Sequence, residues 1–189
     1  TEESIRLKSL VEEMQAMVEA TLEFARGVAK AEPAATVDLA ALLTNLVSDF
    51  GTEKAKFVPS PPLLATIRPH ALIRALRNLI DNAIRYGDVA NVSLSRKLDM
   101  AVVTISDNGP GLPEDQLEIV FEPFVRLESS RNRETGGVGL GLAIARTIVQ
   151  AHGGSLSLKT ISKGGLSVRA EIPISISETA VLHKSTLGT

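Results

Sequence analysis

Leu7, Leu10, Met14, Met17, Thr21 and Phe24 follow one another at alternating steps of three and four. That is the a/d spacing of a helix whose seam faces another helix. Val11, Val18 and Ala25 widen the stripe beyond the face of a lone surface helix. The pattern predicts a long N-terminal helix packing against another chain, with packing onto its own body as the alternative. "AEPAAT", residues 31–36, then breaks the period and reads as a linker. The chain thereby divides into a helical arm, 1–33, and a body, 34–189.

From Val37 onward the pattern alternates between helix and strand periods. "VDLAALLTNLVSDF" predicts a helix capped by Asp38. "KFVPS" and "LLATI" predict two short strands around a Pro-Pro turn. "RPHALIRALRNLIDNAIRYG" predicts a long helix, with Pro69 in its first turn and Gly87 at its end. "NVSLSRK" and "MAVVTISD" predict a strand pair turned at Leu98–Asp99, and "PEDQLEIVF" a short helix. A polar loop, "LESSRNRETGG", precedes another helix, "LGLAIARTIVQAHGG", closed by glycine. "SLSLKTI" and "GLSVRAEIP" predict a last hairpin, and no element is evident after Pro173. The hairpins require antiparallel pairs. The expected fold class is therefore α/β (α+β), a two-layer sandwich with a mixed, mostly antiparallel sheet and helices on one face.

The long helix has two different faces. Taking Asn78 as origin at about 100° per residue, Asn82 lies at about 40°, Arg85 at about −20° and Tyr86 at about 80°. Leu72, Leu76, Leu79, Ile80 and Ala83 gather between about 100° and 200° and form a core stripe. Asparagine is a poor interior helix residue because its amide competes for backbone bonds. Two of them at i, i+4 suggest a site for a polar ligand or a hard cation; a plain solvated face is the alternative. An asparagine oxygen can ligate Mg²⁺, which keeps most of its waters and leans on substrate phosphates.

Composition narrows the chemistry. The 189 residues are 44% hydrophobic and 3% aromatic, so the core must be aliphatic. A formal net charge of −2 argues against a general nucleic-acid binder. No cysteine is present, which excludes thiolate nucleophiles and zinc–thiolate sites. His70, His152 and His183 are too dispersed for a metal site. No apolar run approaches the roughly 20 residues of a membrane span, and no signal peptide is visible. A soluble, cytoplasmic chain is expected.

Two further stretches carry candidate chemistry. In "SDNGPGLP" a strand ends at Asp107, beside Gly109 and Gly111. A carboxylate there can accept a hydrogen bond from a ligand amine, although an ordinary Asn-Gly turn reads the same. "TGGVGLGLAIA", residues 135–145, crowds glycines at the mouth of a helix. It lacks the third glycine of a dinucleotide fingerprint and the Gly-Lys-Ser/Thr of a P-loop. Its backbone N–H groups could still face an anion.

Taken in order, "NLIDNAIRYG", "DNGPGLP", "FEPFVR" and "TGGVGLGLAIA" resemble the asparagine, first glycine, phenylalanine and second glycine boxes of the sensor histidine kinases of two-component systems. The likeness is greatest to the subgroup that phosphorylates winged-helix response regulators. "EEMQAMVEATLEFAR" resembles the second helix of that family's dimerisation hairpin. The resemblance implies a Bergerat ATP-binding fold of the kind shared with gyrase, Hsp90 and MutL, with ATP and Mg²⁺ as cofactors. It implies that Asn82 ligates Mg²⁺, that Asn78 supports the metal or the phosphates, and that Arg85 lies near the phosphates. Tyr86 would lie near the adenine or ribose. Asp107 would accept the adenine amino group, with Gly109 and Gly111 letting the base edge approach. Phe121 and Phe124 would anchor a mobile lid over about residues 125–138. Gly137, Val138, Gly139, Leu140, Gly141 and Leu142 would supply the phosphate-facing turn. Arg126, Arg131 and Arg133 are candidates for the triphosphate, solvated loop arginines being the alternative.

Two departures shape the expected activity. ATP-hydrolysing relatives carry a glutamate four residues before the Mg²⁺ asparagine, and here that residue is Asn78. Transfer to a positioned nucleophile is therefore favoured over hydrolysis; Asp81, about 100° round the helix from Asn82 at the edge of the stripe, is a weaker candidate for proton transfer. None of the three histidines stands in the family's phosphoacceptor context, so the chain is expected to be a fragment lacking its own acceptor. The expected partners are a second copy through the completed hairpin and a cognate response regulator, with no nucleic acid. Any membrane attachment would come through upstream segments of a membrane-sensor parent. An ATP-binding and dimerisation module without productive transfer, or an ATPase of the same superfamily, are the alternatives.

Overall fold

The computed structural model describes residues 7, 8, 11, 14, 18, 32–126, 139–162 and 164–174. Of the predicted arm, Leu7, Val11, Met14 and Val18 are helical and exposed. Leu10, Met17, Thr21, Phe24 and Ala25 lie outside the described residues. So do the polar loop 127–138 and the tail from 175.

The body opens with a strand, β1 (Ala35–Asp38), where the sequence reads as linker running into helix. It pairs antiparallel with β3 (Leu64–Ile67) in a small separate sheet. With only four extended residues, ending at Asp38, β1 is too short for its alternation to show as a period. Asp38 Oδ1 accepts from the amide of Ala40 and caps α1 (Leu39–Ser48). The same oxygen accepts from Leu63 N, tying the start of α1 to the entry of β3.

Both strands predicted around the Pro-Pro turn form, but β2 (Ala55–Phe57) does not pair with β3. Instead it joins the edge of the main sheet, parallel to β4 (Ala90–Lys97). Proline cannot donate to a ladder, so the 59–62 stretch serves as a crossing. α2 (Pro69–Gly87) matches its predicted span. β4 and β5 (Met100–Ser106) form the expected hairpin about Leu98–Asp99. α3 (Gly141–Ala151) leads into the final hairpin, β6 (Ser155–Thr160) and β7 (Leu166–Pro173). The main sheet runs β2-β4-β5-β7-β6, with one parallel pair and three antiparallel ones.

The predicted helix over "PEDQLEIVF" is two single 3₁₀ turns, Glu114–Gln116 and Ile119–Phe121. Neither has a side-chain cap. Nine residues closed off by Pro123 are too few to repay α-helix nucleation.

The core is aliphatic, as composition requires. Leu43, Leu72, Leu76, Leu79, Ile80, Ile105, Ile148 and Ile172 are fully buried between the helices and the sheet. Truncating one of these, such as Leu76→Ala, should cost about 2–5 kcal/mol. Packing on this scale fixes α2 rigidly, and α2 carries the polar stripe.

Candidate functional site

Two segments from distant parts of the chain meet the C-terminal half of α2, and a third packs against α3. The first is the end of β5. Asp107 is 5% exposed, the one buried charged residue among the described residues. Its Oδ1 accepts from Gly109 N at 2.8 Å and from Leu166 N at 3.1 Å. Its backbone N–H donates to Leu166 O at 3.0 Å. Oδ1 is thus committed to the protein, whereas Oδ2 has no hydrogen-bond partner among the described residues. A buried carboxylate with one uncommitted oxygen is ready to accept from a ligand N–H.

Asp107 sits against the end of α2. A Cβ on Gly87 would lie 2.8 Å from Asp107 Oδ1, so only glycine lets the helix end there. Gly109 leans on α2 equally closely, and a side chain there would collide with the Tyr86 carbonyl. Tyr86 is 45% exposed at this rim.

The second segment is the start of α3. Gly141 faces the asparagines: a Cβ there would stand 3.6 Å from Asn82 Nδ2 and 3.8 Å from Asn78 Cβ. Asn78 and Asn82 are half-buried and Arg85 is exposed. Leu140 is buried and Leu142 packs against the core. Both therefore offer only backbone to a ligand. The first turn of α3 has no side-chain cap, which leaves its N–H groups free to face the asparagine stripe.

The third segment follows the 3₁₀ turns. Phe121 is buried, with the Arg146 guanidinium 4.4 Å above its ring, and Arg146 also pairs with Glu118 at 2.8 Å. Phe124 is 52% exposed, with φ 67, and its amide donates to Gly139 O. Of the two predicted lid anchors, Phe121 is in the core and Phe124 on the surface. Arg126 is exposed; Arg131, Arg133, Gly137 and Val138 lie outside the described residues.

Desolvation raises the Asp81 carboxyl above its ordinary range, against the lowering pull of Arg77 and Arg85. Asp81 is exposed at the margin of the site, next to the arginines rather than to Asp107. No cluster of three metal-ligating acids or histidines occurs among the described residues. A divalent cation at Asn82 would therefore take most of its ligands from water or from an anionic ligand. That fits Mg²⁺ carried by a phosphate chain.

The structure also supplies residues the sequence reading left out. The Leu166 amide holds Asp107, and Thr160 holds Leu112. "GG" at 164–165 reads only as a hairpin turn, and no local pattern marks Thr160. A groove of about 410 Å³ lies between α1 and the other flank of α2, lined by Val37, Leu42, Pro69, Ile73 and Arg77. None of the predicted site residues lines it.

This arrangement has counterparts among known proteins. The family model described as "Histidine kinase-, DNA gyrase B-, and HSP90-like ATPase" matches residues 67–176. The chain is 36% identical over 164 residues to the sensor histidine kinase GtrS of Pseudomonas aeruginosa. That match covers 86% of this chain and 34% of GtrS, so the chain spans about a third of that relative's length. The ATP binding domain of PrrB from Mycobacterium tuberculosis superposes with a TM-score of 0.63 at 28% identity, covering 77% of this chain and 100% of that one. Full-length ShkA, solved in complex with AMPPNP, superposes with a TM-score of 0.73 over 94% of this chain and 40% of its own. At 24% identity that second likeness is one of fold.

Proposed function

We propose a function from one premise: the chain belongs to the histidine kinase-, DNA gyrase B-, and HSP90-like ATPase family, as its ATP-binding domain. The reading is a sensor histidine kinase catalytic module that binds Mg-ATP and transfers the γ-phosphoryl group to a histidine outside this chain, for relay to a response-regulator aspartate. The arm, 1–33, would pair two copies, and the body, 34–189, would hold the nucleotide. The observation that carries the reading is Asp107: buried, with Oδ1 saturated by Gly109 and Leu166 and Oδ2 open.

The residues divide the work along α2. Asp107 Oδ2 accepts the adenine amino group, and Tyr86 flanks the base or ribose. Asn82 holds the metal, Asn78 and Arg85 face the phosphates, and the α3 N-terminus adds its N–H groups. Mg²⁺, when bound, neutralises charge on the phosphate oxygens. The chain's own contribution is positioning and charge. No carboxylate stands at residue 78 to activate water, which favours transfer over hydrolysis.

The test is a mixture of this chain with the histidine-bearing helix hairpin and γ-labelled ATP. Label on the histidine, lost with Asn82→Ala, is the expected result. Sustained phosphate release with no labelled histidine would instead establish an ATPase.

A further inference from the structure

We infer that Thr160 is a positioning residue for the base-binding arch, the turn from Asn108 to Leu112 that follows Asp107. The inference rests on the nucleotide reading above and adds to it what holds the pocket in shape.

The arch is tied at both ends to one rung of the β6–β7 hairpin. Thr160 and Leu166 are cross-strand partners. From one side of that rung, Leu166 N donates to Asp107 Oδ1, which also takes Gly109 N. From the other side, the Thr160 hydroxyl donates to Leu112 O and accepts from Leu112 N at 3.2 Å. A single hydroxyl thus serves both backbone groups of a residue 48 positions away, a use of its full donor and acceptor capacity. Leu112 belongs to no strand, so this side chain replaces a ladder bond the loop cannot make.

Packing reinforces the tie. Leu156, Leu158 and Thr160 share the inward face of β6. The Thr160 methyl occupies the space beside Gly111, where an added Cβ would come within 2.7 Å of it. Gly111 has φ 72, a conformation that glycine adopts without strain. Between the two ties lie Gly109, bonded to Asp107 Oδ1, and Gly111, packed against Thr160 and Gly165. A loop fixed in advance spares a ligand the entropy of ordering it.

The experiment compares Thr160→Val, which keeps the methyl and loses the hydroxyl, with Thr160→Ser, which does the reverse. Binding of Mg-ATP and Mg-GTP is measured by calorimetry, and amide hydrogen exchange is measured without nucleotide. Thr160→Val should weaken Mg-ATP binding by about tenfold and narrow its preference over Mg-GTP, while Thr160→Ser stays within about twofold. Exchange at Gly111 and Leu112 should quicken in the valine variant only. Wild-type affinity and base preference in Thr160→Val, or equal losses in both variants, would overturn the inference. If the parent chain bound neither nucleotide, the nucleotide reading would fail. Exchange would then still decide the tie, since unchanged protection in Thr160→Val overturns it.

Discussion

The amide of Leu166 donates to Asp107 Oδ1 at 3.1 Å, bridging 59 positions of sequence. With Gly109 N on the same oxygen at 2.8 Å, it turns the carboxylate into a fixture of the sheet and leaves Oδ2 for a ligand. The two oxygens therefore have separable roles. Asp107→Asn can keep its Oδ1 on both amides while an NH₂ group replaces Oδ2. It should melt close to the parent yet bind Mg-ATP about 10- to 100-fold more weakly, from loss of a charge-assisted acceptor. Asp107→Ala orphans two part-buried N–H groups and should also lower Tm by roughly 4–8 °C. Equal Mg-ATP affinity in parent and Asp107→Asn, read by calorimetry, would remove Asp107 from the base site.

Asn82 tests the other end of the stripe. It is half-buried and faces Gly141, with no acid or histidine cluster among the described residues to hold a metal without phosphates. Asn82→Ala should therefore bring ATP affinity in Mg²⁺ down to its value in EDTA, with the fold intact by circular dichroism. An undiminished Mg²⁺ effect would reassign the metal.

Much of this was legible in the chain. The 3.6-residue period of 69–87 showed both the core stripe and the asparagine stripe, because one long helix displays its two faces in a single repeat. Asp38 and Gly87 marked helix ends by chemistry that acts within a few residues. What stayed hidden was non-local. β1 is four residues long, too short for a period to show, and its partner β3 begins 29 residues after β1 does. β2 runs parallel to β4 rather than folding back on β3, a choice made by the sheet edge and not by the prolines. The Thr160–Leu112 and Leu166–Asp107 bonds link positions whose proximity only the hairpin register creates.

Glu32 gives a pH prediction. Its carboxylate accepts from His70 N at 2.9 Å and Ala71 N at 3.0 Å, at the free N-terminus of α2. Desolvation works to raise this carboxyl, but the two amide bonds and the nearby His70 and His152 outweigh it and hold it below the ordinary range. A lowered folded-state pKa adds stability above the unfolded value, about 4.3 for glutamate, and loses it as pH falls through the folded value. The Tm of Glu32→Gln should therefore fall short of the parent's by a few degrees near pH 7, as for loss of a helix cap of about 1 kcal/mol. The gap should close as pH falls from 4 toward 2. A gap of constant size across that range would show that the charge of Glu32 contributes nothing.

Gly141 separates function from folding most sharply. Glycine in a helix is worse than alanine by about 0.5–1 kcal/mol, so Gly141→Ala would ordinarily stabilise α3. The space allows it: the new Cβ would stand 3.6 Å from Asn82 Nδ2 and 3.9 Å from Asn82 Oδ1, ordinary contact distances. The same methyl would fill the gap between the asparagine stripe and the first N–H groups of α3. If phosphates occupy that gap, Gly141→Ala should hold or raise Tm while weakening ATP binding by at least about tenfold. Adenosine, which reaches only the Asp107 end, should bind as tightly as to the parent. Equal losses for ATP and adenosine would mean that the methyl disturbs the whole site. Unchanged ATP affinity would move the phosphates away from the α3 N-terminus.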